Sequence, residues 1–113
     1  MVVRSELTDA EVDAIFQALA DATRRDILAR VIEREQSVSA IAERYTMSFA
    51  AVQKHVAVLE RALLVTKERR GREQIVHAHP QSIEHARRLL DDYERLWRSR
   101  IHRMQDILDE GNA

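Results

Sequence analysis

Cysteine is absent from the 113 residues, which removes disulfides, thiolate metal ligands and cysteine nucleophiles together. Glycine occurs twice and proline once, so few positions interrupt a helix. With Ala, Leu, Glu and Arg abundant, the chain is expected to be mainly α-helical. No apolar run approaches the ~20 residues of a membrane span, and the N-terminus shows no charged-then-apolar leader. These readings exclude a membrane partner and favour a cytoplasmic location. Low-complexity tracts, internal repeats and linkers are also missing. A single domain over residues 1–113 is therefore expected.

A formal net charge of −1 argues against a nucleic-acid partner only until its distribution is considered. From Arg44 to Arg88 there are nine Lys/Arg against four Asp/Glu, a local balance of +5. The segment before carries −4 and the segment after −2. Such asymmetry is an electrostatic footprint that the total conceals.

Apolar spacing predicts a first helix over Asp9–Ala20, with Val12, Ile15, Phe16 and Leu19 at helical intervals. A second, "DATRRDILARVI", is capped by Asp21 and turns Ile27, Leu28 and Val31 inward. A third, shorter helix follows Ser37 and buries Val38, Ile41 and Ala42. "TMS" then breaks the pattern, and Ser48 caps a fourth helix. After Val65 the period alternates: "VTKERRGREQIVHA" predicts two short strands with Arg70-Gly71-Arg72 at the tip. From Pro80 to about Asp109 the helical period returns, for a length of roughly 40 Å at 1.5 Å per residue.

The fourth helix, within "MSFAAVQKHVAVLERALLV", carries three adjacent polar residues in an apolar stretch. At about 100° per residue, Val52, Val56, Leu59 and Leu63 gather on one side. Ala50, Gln53, Lys54 and Ala57 gather on the other, with Phe49 and His55 on the flanks. A helix that enters a DNA major groove needs this pattern. Small residues allow close approach, Gln reads base edges, and Lys and His contact phosphates. The shorter helix upstream completes a helix-turn-helix. An ordinary amphipathic surface helix has the same pattern; the basic hairpin downstream favours the DNA reading. Arg69, Arg70 and Arg72 there would neutralise phosphates and release counterions.

"FQALADATRRDIL", "SVSAIAERYTMSFAAVQKHVAVLERALLV" and the "RRGRE" hairpin together resemble the ArsR-type family of bacterial winged-helix repressors, over about Ala14 to Pro80. The ending "YERLWRSRIHRMQDILDE" is similar to the subgroup associated with START-like (SRPBCC) proteins. The resemblance implies a mainly α fold with a small β-hairpin: a winged helix-turn-helix over 9–79 and a long dimerisation helix over 80–109. It also implies a homodimeric, promoter-binding transcriptional repressor. Ser48, Phe49, Ala50, Gln53, Lys54 and His55 become the DNA-reading positions, with Arg69, Arg70 and Arg72 on the wing. The family's usual Gly after "ERA" is Leu63 here. Leu resists a left-handed cap, so a different helix ending is expected.

The last helix repeats Leu90, Tyr93, Trp97, Met104 and Ile107 at 3–4 spacing, a stripe that extends beyond what a small body covers. With Ile15 and Phe16 of the first helix it is the expected homodimer interface. Two-fold symmetry then predicts an inverted-repeat operator on double-stranded DNA, half-sites about 34 Å apart. His77, His79 and His85 are the best candidates for metal ligands. The family's Cys pairs and Asp-x-His pattern are missing, so no metal, cofactor or effector is assigned. Carboxylates are scattered and no phosphate-binding loop occurs, so no enzyme is expected. Two other readings are a winged-helix protein–protein adaptor with a vestigial DNA face, and a small-molecule-responsive repressor with Tyr93 and Trp97 lining a groove between the first and last helices.

Overall fold

The computed structural model describes residues 7–111. The elements are α1 (Asp9–Leu19), α2 (Ala22–Glu33), β1 (Gln36–Ser37), α3 (Val38–Ala42), α4 (Phe49–Arg61), β2 (Val65–Arg70), β3 (Glu73–Ala78) and α5 (Pro80–Gly111). Each of the first four helices begins at a side-chain oxygen that accepts an otherwise unpaired backbone N–H. Thr8 and Glu11 form a reciprocal capping box at α1. Asp21 accepts from the Arg24 N–H, Ser37 from Ala40 and Ser48 from Ala51, at 3.0, 3.0 and 3.1 Å.

The strands form one antiparallel sheet in the order β1-β3-β2. Val65 pairs with Ala78 and Arg70 with Glu73, leaving Gly71 and Arg72 as a two-residue turn. Gly71 has φ +61°, as the first central position of a type II′ hairpin turn requires. The two-residue β1 on the other edge of β3 was not expected from the sequence; it joins the wing to the start of α3.

The core gathers Ile15 and Ala18 of α1, Ile27, Leu28 and Val31 of α2, Val38 and Ile41 of α3, and Val52, Val56 and Leu59 of α4. Leu64, Val65 and Val76 close it from the wing side. Two expectations are corrected here. Ile15, expected at a partner surface, is only 2% exposed and belongs to this core, whereas its neighbour Phe16 stays at the surface. Leu63, expected on the buried side of α4, is 51% exposed.

The cause of the second correction lies in how α4 ends. Leu63 takes φ +59°, so the left-handed cap is kept although no glycine is there. The Leu64 N–H donates to Leu59 O at 3.0 Å and the Leu63 N–H to Glu60 O at 2.9 Å, the paired bonds of a Schellman motif. That turn swings Leu63 out and drives Leu64 into the core beside Leu59. The buried Ser82 hydroxyl donates to Leu63 O at 2.7 Å, and the His79 N–H donates to Leu64 O at 2.9 Å. The start of α5 thus braces the strained residue.

α5 runs on for 32 residues, about 48 Å of helix. The chain's radius of gyration is 19.6 Å, against about 13 Å for a compact chain of this length. Beyond Trp97 every described side chain of α5 is exposed.

A left-handed leucine costs roughly 1–2 kcal/mol, and glycine's extra unfolded-state freedom returns about half of that. Leu63→Gly is therefore expected to raise the unfolding free energy by roughly 0.5–1 kcal/mol. The measurement is the urea midpoint at fixed protein concentration. A lower midpoint would mean that the leucine side chain contributes more than its backbone costs.

Candidate nucleic-acid interface

The orientation of α4 follows from its buried row. Val52, Val56 and Leu59 are 0% exposed, which turns Ala50, Gln53 and Lys54 fully outward. Phe49, in the first turn, is 46% exposed. Ser48 is tied up as the N-cap, its hydroxyl oxygen accepting from Ala51. His55 lies on the flank, half-buried, with Nδ1 3.5 Å from Nη1 of Arg24. It therefore faces the body of the protein as much as the outside.

Arg24 is a residue whose role the sequence did not disclose. Its Nε donates to Ala18 O at 2.8 Å and its Nη2 to Gln17 O at 2.9 Å. Arg25 donates to Leu19 O at 2.7 Å. The two arginines thus satisfy three terminal carbonyls of α1, and Arg24 reaches on to the flank of α4. Its neighbour Asp21 is held below the usual carboxylate range, chiefly by the Arg24 backbone N–H it accepts.

The turn between α3 and α4 is anchored to α2. The Tyr45 hydroxyl donates to the Asp26 carboxylate, which also accepts from Arg30 Nε at 2.9 Å. The Arg30 guanidinium lies 5.8 Å from the centre of the Tyr45 ring, within cation–π range. The Tyr45 hydrogen bond first, and then that from Arg30, lowers the Asp26 carboxyl from its usual value. Burial, then Asp26, raises the Tyr45 hydroxyl.

The wing is fastened at its base and middle. Lys67 Nζ lies 3.4 Å from Glu60 of α4. Arg70 is within 3.3 Å of both Glu35 and Glu68. His77 sits between the same two carboxylates, Nδ1 2.7 Å from Glu35 and Nε2 2.9 Å from Glu68. Arg70 and His77 lower the Glu68 carboxyl in that order. Among the described residues no group of three or more His, Cys, Asp and Glu side chains is arranged to hold a metal ion. At the tip, Arg69 Nε donates to Gly71 O at 3.3 Å. Thus Arg70 is held by carboxylates, while Arg72 at the turn is open to solvent.

Most of the described arginines are engaged by carboxylates or carbonyls. Arg44, Gln53, Lys54 and Arg72, in the helix-turn-helix and at the wing tip, are exposed and have no side-chain hydrogen bond or ion pair. Among the described residues Arg34, Arg61 and Arg103 have none either, but they lie away from the outward face of α4 and the wing tip. Arg44, in the turn after α3, was missed as a site residue; only the fold shows that no carboxylate reaches it. Tyr93 and Trp97 are not among the residues that line the hollow beside α1 and the start of α5. They are 53% and 58% exposed, and the shallow hollow at that junction is lined by Leu7, Glu11, Ile15, Arg61, Ala62 and Leu63, with Ser82.

Residues 19–68 match a helix-turn-helix domain family. An HTH-type transcriptional regulator of Mycobacterium tuberculosis, Rv2034, is 30% identical over 97 residues, covering 86% of this chain and 88% of the relative. The solved structure of an ArsR-like transcriptional regulator from Rhodococcus sp. RHA1 is 32% identical, with a TM-score of 0.77 over 87% of this chain and 92% of that one. The homodimeric winged helix-turn-helix DNA-binding domain Mb0332 of Mycobacterium bovis has a TM-score of 0.61 at 26% identity, covering 80% and 84% of the two chains.

The lowered Asp26 carboxyl has a pH consequence. Its stabilisation is complete above the unfolded value, near 3.9, and is lost as pH falls through the lower folded value. Asp26→Asn is therefore expected to lower the melting temperature at neutral pH and to make its decline below about pH 4 shallower. Melting curves across that range check this, and parallel declines in the two proteins would contradict it.

Proposed function

The chain belongs to the ArsR-type family of winged helix-turn-helix transcriptional regulators, DNA-binding proteins rather than enzymes, and we propose that it acts as a homodimeric repressor that occludes promoters. The observation that carries the reading is the set of unpartnered polar side chains on the outward face of α4 and at the wing tip. In this reading α4 enters the major groove. Gln53 makes the base-edge hydrogen bonds, bidentate to adenine where geometry permits. Phe49 and Ala50 make the apolar contacts. Lys54, Arg44 and Arg72 bind phosphates and fix register. Ser48 caps the helix against a phosphate, and His55 and Arg69 contribute at the margins.

Arg70 plays a different part from its neighbours. Bound between Glu35 and Glu68, it holds the wing in place, and a phosphate would have to replace two carboxylates to recruit it. Its contribution to affinity is accordingly smaller than that of Arg72.

The dimer reading rests on the stripe along α5. Leu90, Tyr93, Trp97, Met104 and Ile107 are each 53–66% exposed, a continuous apolar surface larger than solvent-facing helices carry. A second copy covers it, with Phe16 of α1 at its edge; that the similar domain Mb0332 is homodimeric supports a dimer of this kind of chain. Two α4 helices related by a two-fold axis then read an inverted repeat whose half-sites lie about 34 Å apart. No helix among the described residues is long and apolar enough to cross a membrane, and a promoter-binding role places the protein in the cytoplasm with DNA.

Fluorescence anisotropy on the duplex upstream of its own gene, against a scrambled control across a salt series, tests the DNA reading. Lys54→Ala is expected to weaken both duplexes and to reduce the dimer's salt slope by about 1 per half-site. Gln53→Ala should cost about 1–3 kcal/mol per half-site on the specific duplex alone. Binding without a salt slope would favour a protein-binding role for this face. The dimer has its own test. Trp97→Glu is expected to convert the sedimenting species from dimer to monomer at micromolar concentration, and an unchanged dimer would remove α5 from the interface.

A further inference from the structure

The first turn of α4 departs from the polar character of the surface around it. Phe49 is 46% exposed and Ala50 is exposed beside it, although the chain has only two phenylalanines. No acidic residue lies in that turn, so no carboxylate there accepts a hydrogen bond from the cytosine amino group. One turn on, at helical spacing i+4, stands the unpartnered amide of Gln53. Lys54, exposed on the same helix, and Arg44, exposed in the turn that precedes it, add positive charge without partners. Cations near an apolar tip suit a surface that is anionic at its rim and apolar at its floor.

Within a major groove only one base supplies such a floor. Guanine offers two acceptors and cytosine a donor, whereas thymine adds a C5-methyl group beside its O4 acceptor. A phenyl ring against a G·C edge strips water from polar groups and returns no hydrogen bond. Against thymine it covers a methyl group and so gains apolar burial. Gln53, able to bond to both N6 and N7 of adenine, suits the neighbouring A·T pair.

We propose that Phe49 and Ala50 form an apolar reading edge for the C5-methyl groups of thymine, so that each half-site of the operator carries thymine opposite the first turn of α4. This inference rests on α4 being the DNA-reading helix. It specifies the feature read at that position: a methyl group rather than a hydrogen-bonding pattern.

The test begins with selection of binding sites from a random-sequence duplex pool by the full-length protein. In the selected site, thymines are then replaced one at a time by deoxyuridine, which removes only the methyl. Loss of one methyl contact, ~0.8 kcal/mol, is about 4-fold in affinity, and about 16-fold when both half-sites are changed. The wild type is expected to show that penalty at one or two thymines per half-site. Phe49→Ala should bind the thymine duplex more weakly and show no uracil penalty; Phe49→Leu, still apolar, should keep part of it. The exposed position leaves the fold of both variants intact, as circular dichroism will show. Indifference of the wild type to uracil at every thymine would overturn the inference and leave the DNA reading standing. A penalty that persists in Phe49→Ala would assign the methyl contact to another residue and overturn it likewise. Failure of the pool to yield any enriched sequence would overturn both the DNA reading and this inference.

Discussion

The rotation of α4 about its own axis is the constraint on which the reading surface depends. It is set by three side chains, Val52, Val56 and Leu59, buried without residue against α2, α3 and the base of the wing. A turn of one residue about the axis would move the outward direction by about 100°. Gln53 would then face the body and a valine would face solvent. Burying each of those side chains is worth about 1.5–3 kcal/mol, so the alternative orientation is strongly disfavoured. The adjacent polar residues in the middle of an apolar stretch are thus part of a consistent two-faced helix.

Orientation alone does not place the helix relative to its neighbours; a second layer of polar contacts does. Arg24 and Arg25 bind the end of α1, and Arg24 reaches His55 on α4. Asp26, Arg30 and Tyr45 fix the turn that precedes α4. Lys67 with Glu60 fixes the wing that follows it. These contacts lie at the surface, where each isolated pair contributes little stability. Their effect is geometric, since they connect the ends of elements whose apolar faces already meet. Charges recruited for this purpose are largely neutralised within the chain. Among the described cations without partners, Arg44, Lys54 and Arg72 are those in the helix-turn-helix and at the wing tip, where they are available to an outside anion.

Local signals carried much of the fold in readable form. Asp21, Ser37 and Ser48 announce helix starts because a cap depends on residues only three apart. The wing turn announces itself because Gly71 follows an alternating run. What escaped the sequence was set by contacts over longer range or by a conformational exception. A two-residue strand such as β1 has no period to detect. The helical wheel puts Leu63 on the buried side, but the helix has ended there, and the left-handed turn exchanges it with Leu64. Ile15 and Phe16 are adjacent, and which of them meets the core depends on how α1 lies on α4. Arg70 looks like Arg69 and Arg72 in sequence; Glu35, 35 residues away, makes it different. The availability of Arg44 is likewise hidden in the sequence, because it is the absence of a partner, visible only in three dimensions.

Side-chain hydroxyl-radical footprinting, with and without the selected duplex, tests the central claim most directly. Phe49, Tyr93, Trp97 and Met104 are reactive side chains placed on the two surfaces in question, and each is about half exposed in the single chain. Phe49 is expected to be oxidised in the free protein and protected by DNA. Tyr93, Trp97 and Met104 are expected to be protected already at dimer-forming concentrations and to stay unchanged when DNA is added. Equal oxidation of Phe49 in the free and bound protein, with protection appearing instead along α5, would contradict that claim.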